Sequence, residues 1–450
     1  MDKKPKPKLN PKQYAAQRTS KVAERLRVKH AESCPPKTIC LNMIVKNESP
    51  IMVRLLDSLV TIIDFISIVD TGSTDDTKEV IMDWSAKHNI PATVHFEPFK
   101  NFSYNRTHSL EKARSTYPQA DYLLLSDADF IWEVDASAKF DKRLLVDHKY
   151  LVEQRNNALN YWNIRLVSTK VKFIFLARTH EYITEASTQE AFVGNVRISK
   201  LRALLILDIE DGKSKGDKYS RDERLLKEGL ADESEPAHIK TRYKFYLAQT
   251  LKDMGRFDES IEWYTKRAED KGWGEEVYYA KFQIGFNHER LGWDKKKVIS
   301  VMAKETRSEE ENELLIKYNQ NNLAPSEMLK QSTEHFTQAA INYMAATSYR
   351  KTRNEALYYC TRMYRMLSMH QMAYDLVQKG KPYPYPDEDT LFIEKACYDG
   401  SNWDIELSIV CYYLPEHKQE GREALHRLLA RKDVPKWVTE MAERNASQYL

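Results

Sequence analysis

Apolar residues in the first half of the chain come in short unbroken runs closed by polar turns. In the second half they recur at helical spacing. The runs at Ile39–Val45, 65–69, 93–96 and Tyr122–Leu125 read as strands, the first, second and fourth buried on both faces as in a parallel sheet. Between them, Val53, Leu55, Leu56 and Leu59 predict an amphipathic helix over 53–60, and further helices are expected over 78–88 and 103–116. Later runs at 163–167 and Phe173–Leu176 read as strands paired with each other, and 204–207 as a last strand. Strands alternating with helices across short links predict a three-layer α/β domain.

Two strand ends carry candidate chemistry. Ser126-Asp127-Ala128-Asp129-Phe130 follows one buried strand, and ligands of open α/β sheets bind beyond the carboxyl ends of the strands. Two aspartates there can hold a hard divalent cation, which in turn binds phosphate oxygens. The second end is Asp70-Thr71-Gly72-Ser73-Thr74-Asp75-Asp76-Thr77. Gly72 permits backbone conformations other residues resist, and Ser73, Thr74 and Asp75 are good helix caps. The helix start offers N–H groups to anions, and Asp70 offers an acceptor to a base or ribose. An ordinary capped strand-to-helix loop has the same composition.

Four segments occur in one order: Met43-Ile44-Val45-Lys46-Asn47-Glu48, Ile68 through Thr77, Asn101-Phe102 with Asn105-Arg106, and Leu125 through Asp129. Together they resemble a family-2 glycosyltransferase of GT-A fold, a Rossmann-like mixed sheet. The matched motifs cover about 38–130, with weaker similarity to about 220. The resemblance implies a nucleotide-sugar donor, most often a UDP-sugar, with Mn²⁺ or Mg²⁺ as cofactor. It implies that Val45, Asn47, Glu48 and Asp70 line the nucleotide pocket, beside the Gly72, Ser73 and Asp75 turn. Asp127 and Asp129 would serve the metal and diphosphate, and Arg106 would lie near the diphosphate. Phe130 departs from the pattern, since relatives often carry an acid there.

The residues 177–182, Ala-Arg-Thr-His-Glu-Tyr, stand where relatives carry a His-Glu pair near the acceptor. Glu181 is the candidate base, His180 its neighbour and Glu185 a rival; a structural turn is the competing reading. The run 204–207 leads into Asp208 and a loop bearing Lys213 and Lys215, which can close over a diphosphate or serve as a solvated linker. Many relatives have a metal-binding histidine here. This loop has none, so Asp208, Asp211 or water would take its place as a ligand.

From about 219 the strand patterns stop. Residues 242–264 resemble a tetratricopeptide repeat, a helix, a turn at Gly255 and a second helix rich in aromatics; 282–293 read as a weaker copy with its turn at Gly292. More helices are expected near 333–347, 353–368, 405–414 and from 421 on, and 309–323 reads as a loop or a poorly packed helix. Three prolines within 382–386 break the array. Such arrays commonly bind proteins, so a protein partner or self-association is expected through them. The expected organisation is a basic segment over 1–37, with a short helix over 14–28, a GT-A domain over 38–220 and a helical domain over 221–450.

The net charge of +3 hides a Lys-rich start, read as a solubilising tail; no nucleic-acid module accompanies it. No apolar run reaches the ~20 residues of a membrane span. Five cysteines without metal-ligand spacing suggest free thiols and a cytoplasmic protein. The function expected is a metal-dependent sugar transferase acting on a protein or glycan acceptor. The alternative is a non-catalytic scaffold or binding protein with the same two parts.

Overall fold

The computed structural model describes residues 34–135, 140–156, 160–186, 196–212, 218–270, 272–319, 321–389 and 391–449. The proposed helix over 14–28 and the loop lysines Lys213 and Lys215 lie outside them. The chain divides into two compact units between Lys218 and Tyr219.

The first unit is built on an eight-stranded sheet. Its strands are β1 (Ile39–Val45), β2 (Phe65–Asp70), β3 (Ala92–Phe96), β4 (Tyr122–Leu125), β5 (Phe130–Val134), β6 (Lys149–Arg155), β7 (Asn160–Ser168) and β10 (Ile198–Asp208), in the order β3-β2-β1-β4-β7-β6-β10-β5. The first four are parallel, and β7 turns antiparallel beside β4. Helices α1 (Ser49–Leu59), α2 (Thr77–His88) and α3 (Phe102–Thr116) cover it. Alternate residues of β1 divide between two cores. Ile39, Leu41 and Met43 pack with Leu55 and Leu56 of α1 and Trp84 of α2, while Cys40 packs with Leu110 and Ala113 of α3. Both faces of β1 are therefore covered, which is why its sequence is one continuous apolar run.

Two strand assignments change. The run 173–176 does not pair with 163–167: β8 (Phe173–Leu176) forms a separate hairpin with β9 (Tyr182–Glu185), and β7 pairs with β4 and β6. Strands β5 and β6 were not expected from the pattern. Alternation in β5 is short, and its outer residues Glu133 and Val134 are exposed.

The second unit contains helices α4 (Lys218–Ala231), α5 (Ala237–Asp253), α6 (Phe257–Glu269), α7 (Gly274–Met302), α8 (Glu309–Tyr318), α9 (Pro325–Tyr349), α10 (Glu355–Met366), α11 (His370–Gly380), α12 (Ser401–Val410), α13 (Lys418–Leu429) and α14 (Lys436–Ala446). Helices α5 and α6 form the expected pair, joined through Gly255 in a left-handed conformation, φ +71°. The expected turn at Gly292 is absent. Gly292 lies inside the 29-residue α7, where a Cβ would stand 2.8 Å from the Phe336 ring of α9. Glycine serves close helix packing here rather than a turn. The charged stretch after Ser308 forms α8, capped reciprocally by Ser308 and Glu311, with none of its residues buried.

Candidate active site

The carboxyl ends of β1, β2 and β4 bring the first motifs to one edge of the sheet. Asp70 closes β2 in register with Val45. One Asp70 oxygen accepts from the backbone N–H of Gly72 at 2.9 Å and of Ser73 at 2.7 Å. The turn needs Gly72 because its φ is +114°. Asn47, itself left-handed at φ 57°, accepts from Thr74 N at 2.7 Å and donates its own N–H to Ser73 Oγ at 3.0 Å. Asp75 takes the Ser49 hydroxyl at 2.8 Å and the Thr77 hydroxyl at 2.5 Å. Burial would raise its carboxyl, but these hydrogen bonds outweigh burial and hold it below its ordinary range. Asn47, Ser73 and Asp75 thus lock two strand-end loops together.

The second group gathers around Asp127. Arg106, in the first turns of α3, donates to Asp127 Oδ1 at 2.5 Å. Its Nε lies 2.7 Å from Glu181 Oε1 in an ion pair. One guanidinium therefore joins the aspartate motif to the candidate base. Arg165 of β7 donates to the other Asp127 oxygen at 3.2 Å. Burial alone would raise the Asp127 carboxyl; Arg106 and then Arg165 outweigh it and lower it to about 2. Asp127 is thus an anion held between two cations, with 29% of its side chain exposed.

Glu181 reaches this cluster through the β8–β9 connection. Ala177 and His180 there adopt left-handed conformations, φ 75° and 51°, which non-glycine residues adopt at a cost. The Arg178 carbonyl accepts from Phe102 N at 2.9 Å, tying the connection to the start of α3. Glu185 is paired with Lys149 at 2.6 Å instead, and takes no part in the contacts around Asp127.

Asp129 lies on a different side of the motif. A Cβ at Gly212 would stand 3.4 Å from Asp129 Oδ2 and 3.6 Å from Glu48 Oε1. Those two carboxylates therefore border one small space that glycine leaves open. Asp208, at the end of β10, accepts from Gln154 at 2.8 Å, and Gln154 accepts from Arg165 at 2.9 Å. Asp211 forms a two-pronged pair with Arg54 at 2.6 and 2.7 Å. No group of three or more His, Cys, Asp or Glu residues suited to a metal occurs among the described residues. Asp127, Asp129 and Asp208 do not converge into one such cluster.

Arg54, Gln154 and Arg165 belong to this site without being part of any motif. Arg165 left one trace in the sequence, a charge inside the apolar run Ile164-Arg165-Leu166-Val167. Gln154 left none, because its strand has no clear pattern.

Among the described residues no helix is long and apolar enough to cross a membrane, and the five cysteines are free. No curated protein matches the chain. Among solved structures it is similar to S. aureus TarS 1-349 in complex with UDP, at 17% identity over 56% of this chain and 80% of that chain, TM-score 0.27. It is similar also to the human IFIT1 dimer with m7Gppp-AAAA, at 17% identity over 51% of this chain and 49% of that chain, TM-score 0.27. Scores of this size describe no shared whole-chain shape. Residues 40–183 match the model of glycosyl transferase family 2, a span that contains the turn after β2, Arg106, the Asp127–Asp129 motif and Glu181. Residues 40–183 of this chain form a domain that matches glycosyl transferase family 2, and a helical unit follows it in sequence.

Proposed function

We propose that the protein is a metal-dependent glycosyltransferase that moves a sugar from a nucleoside-diphosphate donor, a UDP-sugar, to a protein or glycan acceptor. The observation that carries this reading is the bridge from Asp127 through Arg106 to Glu181, within the span matched to the family. It joins a donor-side motif to an acceptor-side carboxylate.

Charge supports the metal requirement. Asp129 and Glu48 both border the position a Gly212 Cβ would take, and two carboxylates facing one space favour a cation between them. Mg²⁺ and Mn²⁺ suit carboxylate sites, and Mg²⁺ is commonly held by one or two carboxylates together with substrate phosphates. The cation would supply positive charge to the departing diphosphate.

The chain's own residues do the rest. Asp70 keeps the turn after β2 in shape for the nucleoside. Arg106 lies where it can exchange Asp127 for a diphosphate oxygen, adding stabilisation as the anomeric C–O bond breaks and charge grows on the leaving group. Glu181, released from Arg106 by that exchange, accepts the acceptor's hydroxyl proton as its oxygen attacks the sugar carbon. Lys213 and Lys215 complete the proposal as ammonium groups over the diphosphate.

The test is release of nucleoside diphosphate from a panel of nucleotide sugars, with and without Mn²⁺. The wild type should turn over at least one donor, and the Asp127→Asn, Asp129→Asn double variant none. Full activity of that variant would overturn the site. Absence of metal-dependent UDP binding in the wild type would favour a scaffold.

A further inference from the structure

Arg165 reaches the site through a defect in the sheet. The β6–β7 ladder runs from Arg155 opposite Asn160 to Leu151 opposite Ile164, then resumes at Tyr150 opposite Leu166. Arg165 is the extra residue, a β-bulge, and bulges re-aim side chains beside active sites.

The re-aimed guanidinium is fixed on three sides. Nη1 donates to Asp127 Oδ2 at 3.2 Å, Nη2 donates to Gln154 Oε1 at 2.9 Å, and the group lies over the Phe130 ring at 4.6 Å. Phe130 is the position where relatives often carry an acid. An aromatic face there supports the cation without competing with Asp127 for it. Gln154, 2% exposed, accepts from Arg165 and donates Nε2–H to Asp208 Oδ2 at 2.8 Å. Both amide atoms are thereby assigned, since only the oxygen can accept and only the nitrogen can donate. A continuous chain of hydrogen bonds runs from Asp127 after β4, across β7 and β6, to Asp208 at the end of β10.

Arg106 and Arg165 hold different oxygens of Asp127. If a diphosphate draws Arg106 away, Arg165 is the remaining side-chain hydrogen-bond partner of Asp127 among the described residues. We propose that Arg165 and Gln154 are positioning residues, a relay that keeps Asp127 and Asp208 aimed into the donor site while Arg106 transfers to the diphosphate of a nucleotide sugar. The relay rests on the transferase reading above and adds two residues to it that lie outside the four motifs.

The experiment compares Gln154→Leu, Arg165→Met and Arg165→Lys with the wild type in the full chain. Calorimetry measures affinity for UDP in the presence of Mn²⁺. Steady-state kinetics, with the donor found in the panel, separates kcat from the acceptor KM, and thermal melting monitors the fold. Loss of a supporting partner around a metal or catalytic group typically costs about 10–100-fold. Gln154→Leu should therefore lower UDP affinity and kcat by about tenfold or more, leaving the acceptor KM and the melting midpoint near wild type. Arg165→Met should lose more, and Arg165→Lys should recover part, because lysine keeps the charge and loses the fork. Lysine is also the variant expected to fold if methionine leaves Asp127 too poorly compensated. Wild-type affinity and kcat in folded Gln154→Leu and Arg165→Lys would overturn the relay and leave the transferase standing. A wild type that binds no nucleoside diphosphate would overturn both.

Discussion

Gly212→Ala tests the proposed metal position without touching a charged residue. The added methyl would stand 3.4 Å from Asp129 Oδ2 and 3.6 Å from Glu48 Oε1, both ordinary contact distances. Gly212 is not among the residues with positive φ, so alanine meets no backbone strain. The fold should be unharmed and the stability slightly raised: replacing glycine at a compatible site gains about 0.4–1 kcal/mol by restricting the unfolded chain. The consequence for a cation is different. A cation held by Asp129 and Glu48 would share the space the new methyl enters, so the methyl would compete with it for room. Calorimetry of UDP with and without Mn²⁺ should show the metal-dependent part of binding reduced at least tenfold, while the melting midpoint stays level or rises. A folded Gly212→Ala protein that binds UDP–Mn²⁺ as tightly as wild type would refute the assignment of this space to the cation.

Glu181→Gln keeps the shape but removes the base, so kcat should fall by about 10²–10⁴-fold with UDP–Mn²⁺ affinity retained; an unchanged kcat would point to another base. In the helical unit, His288 and His335 face each other with Nδ1 atoms 3.0 Å apart, near Lys295, Asp258 and Glu334. Burial, then His335, lowers the His288 pKa to about 4. A depressed histidine gives stability that is complete above its unfolded value near 6.5 and is lost as pH falls toward 4, up to about 3 kcal/mol. Melting between pH 7 and 4.5 should therefore show a smaller loss in His288→Leu than in wild type; equal slopes would discount the pair. Gly292→Ala would place Cβ 2.8 Å from the Phe336 ring. Overpacking at about 1–3 kcal/mol should exceed the ~1 kcal/mol gained in helix propensity, so the denaturation midpoint should drop; a rise would mean the α7–α9 contact yields easily.

The sequence by itself determined the strands buried on both faces and the loops that follow them. In β1, β2 and β4 the apolar demand is continuous and local, and parallel strands deliver their carboxyl ends to one edge wherever the rest of the chain goes. Asp70 and Asp127 could be singled out for that reason, and Arg106 and Glu181 through the resemblance to a family. Which acid meets which base was decided by tertiary structure alone. Asp127 is joined to Glu181 by α3 and to Asp208 by β7 and β6, so segments far apart in sequence must first pair. Arg165 depends on a ladder slipping by one residue, and the partner of β8 on a hairpin rather than on the main sheet. Gly292 makes the same point in the helical unit, since a glycine that ends one helix and a glycine that admits a neighbour's ring look alike in sequence. Hydrophobic periodicity reports how each segment meets its own core. It carries no term for the register between segments, and the charged contacts of this site are set by that register.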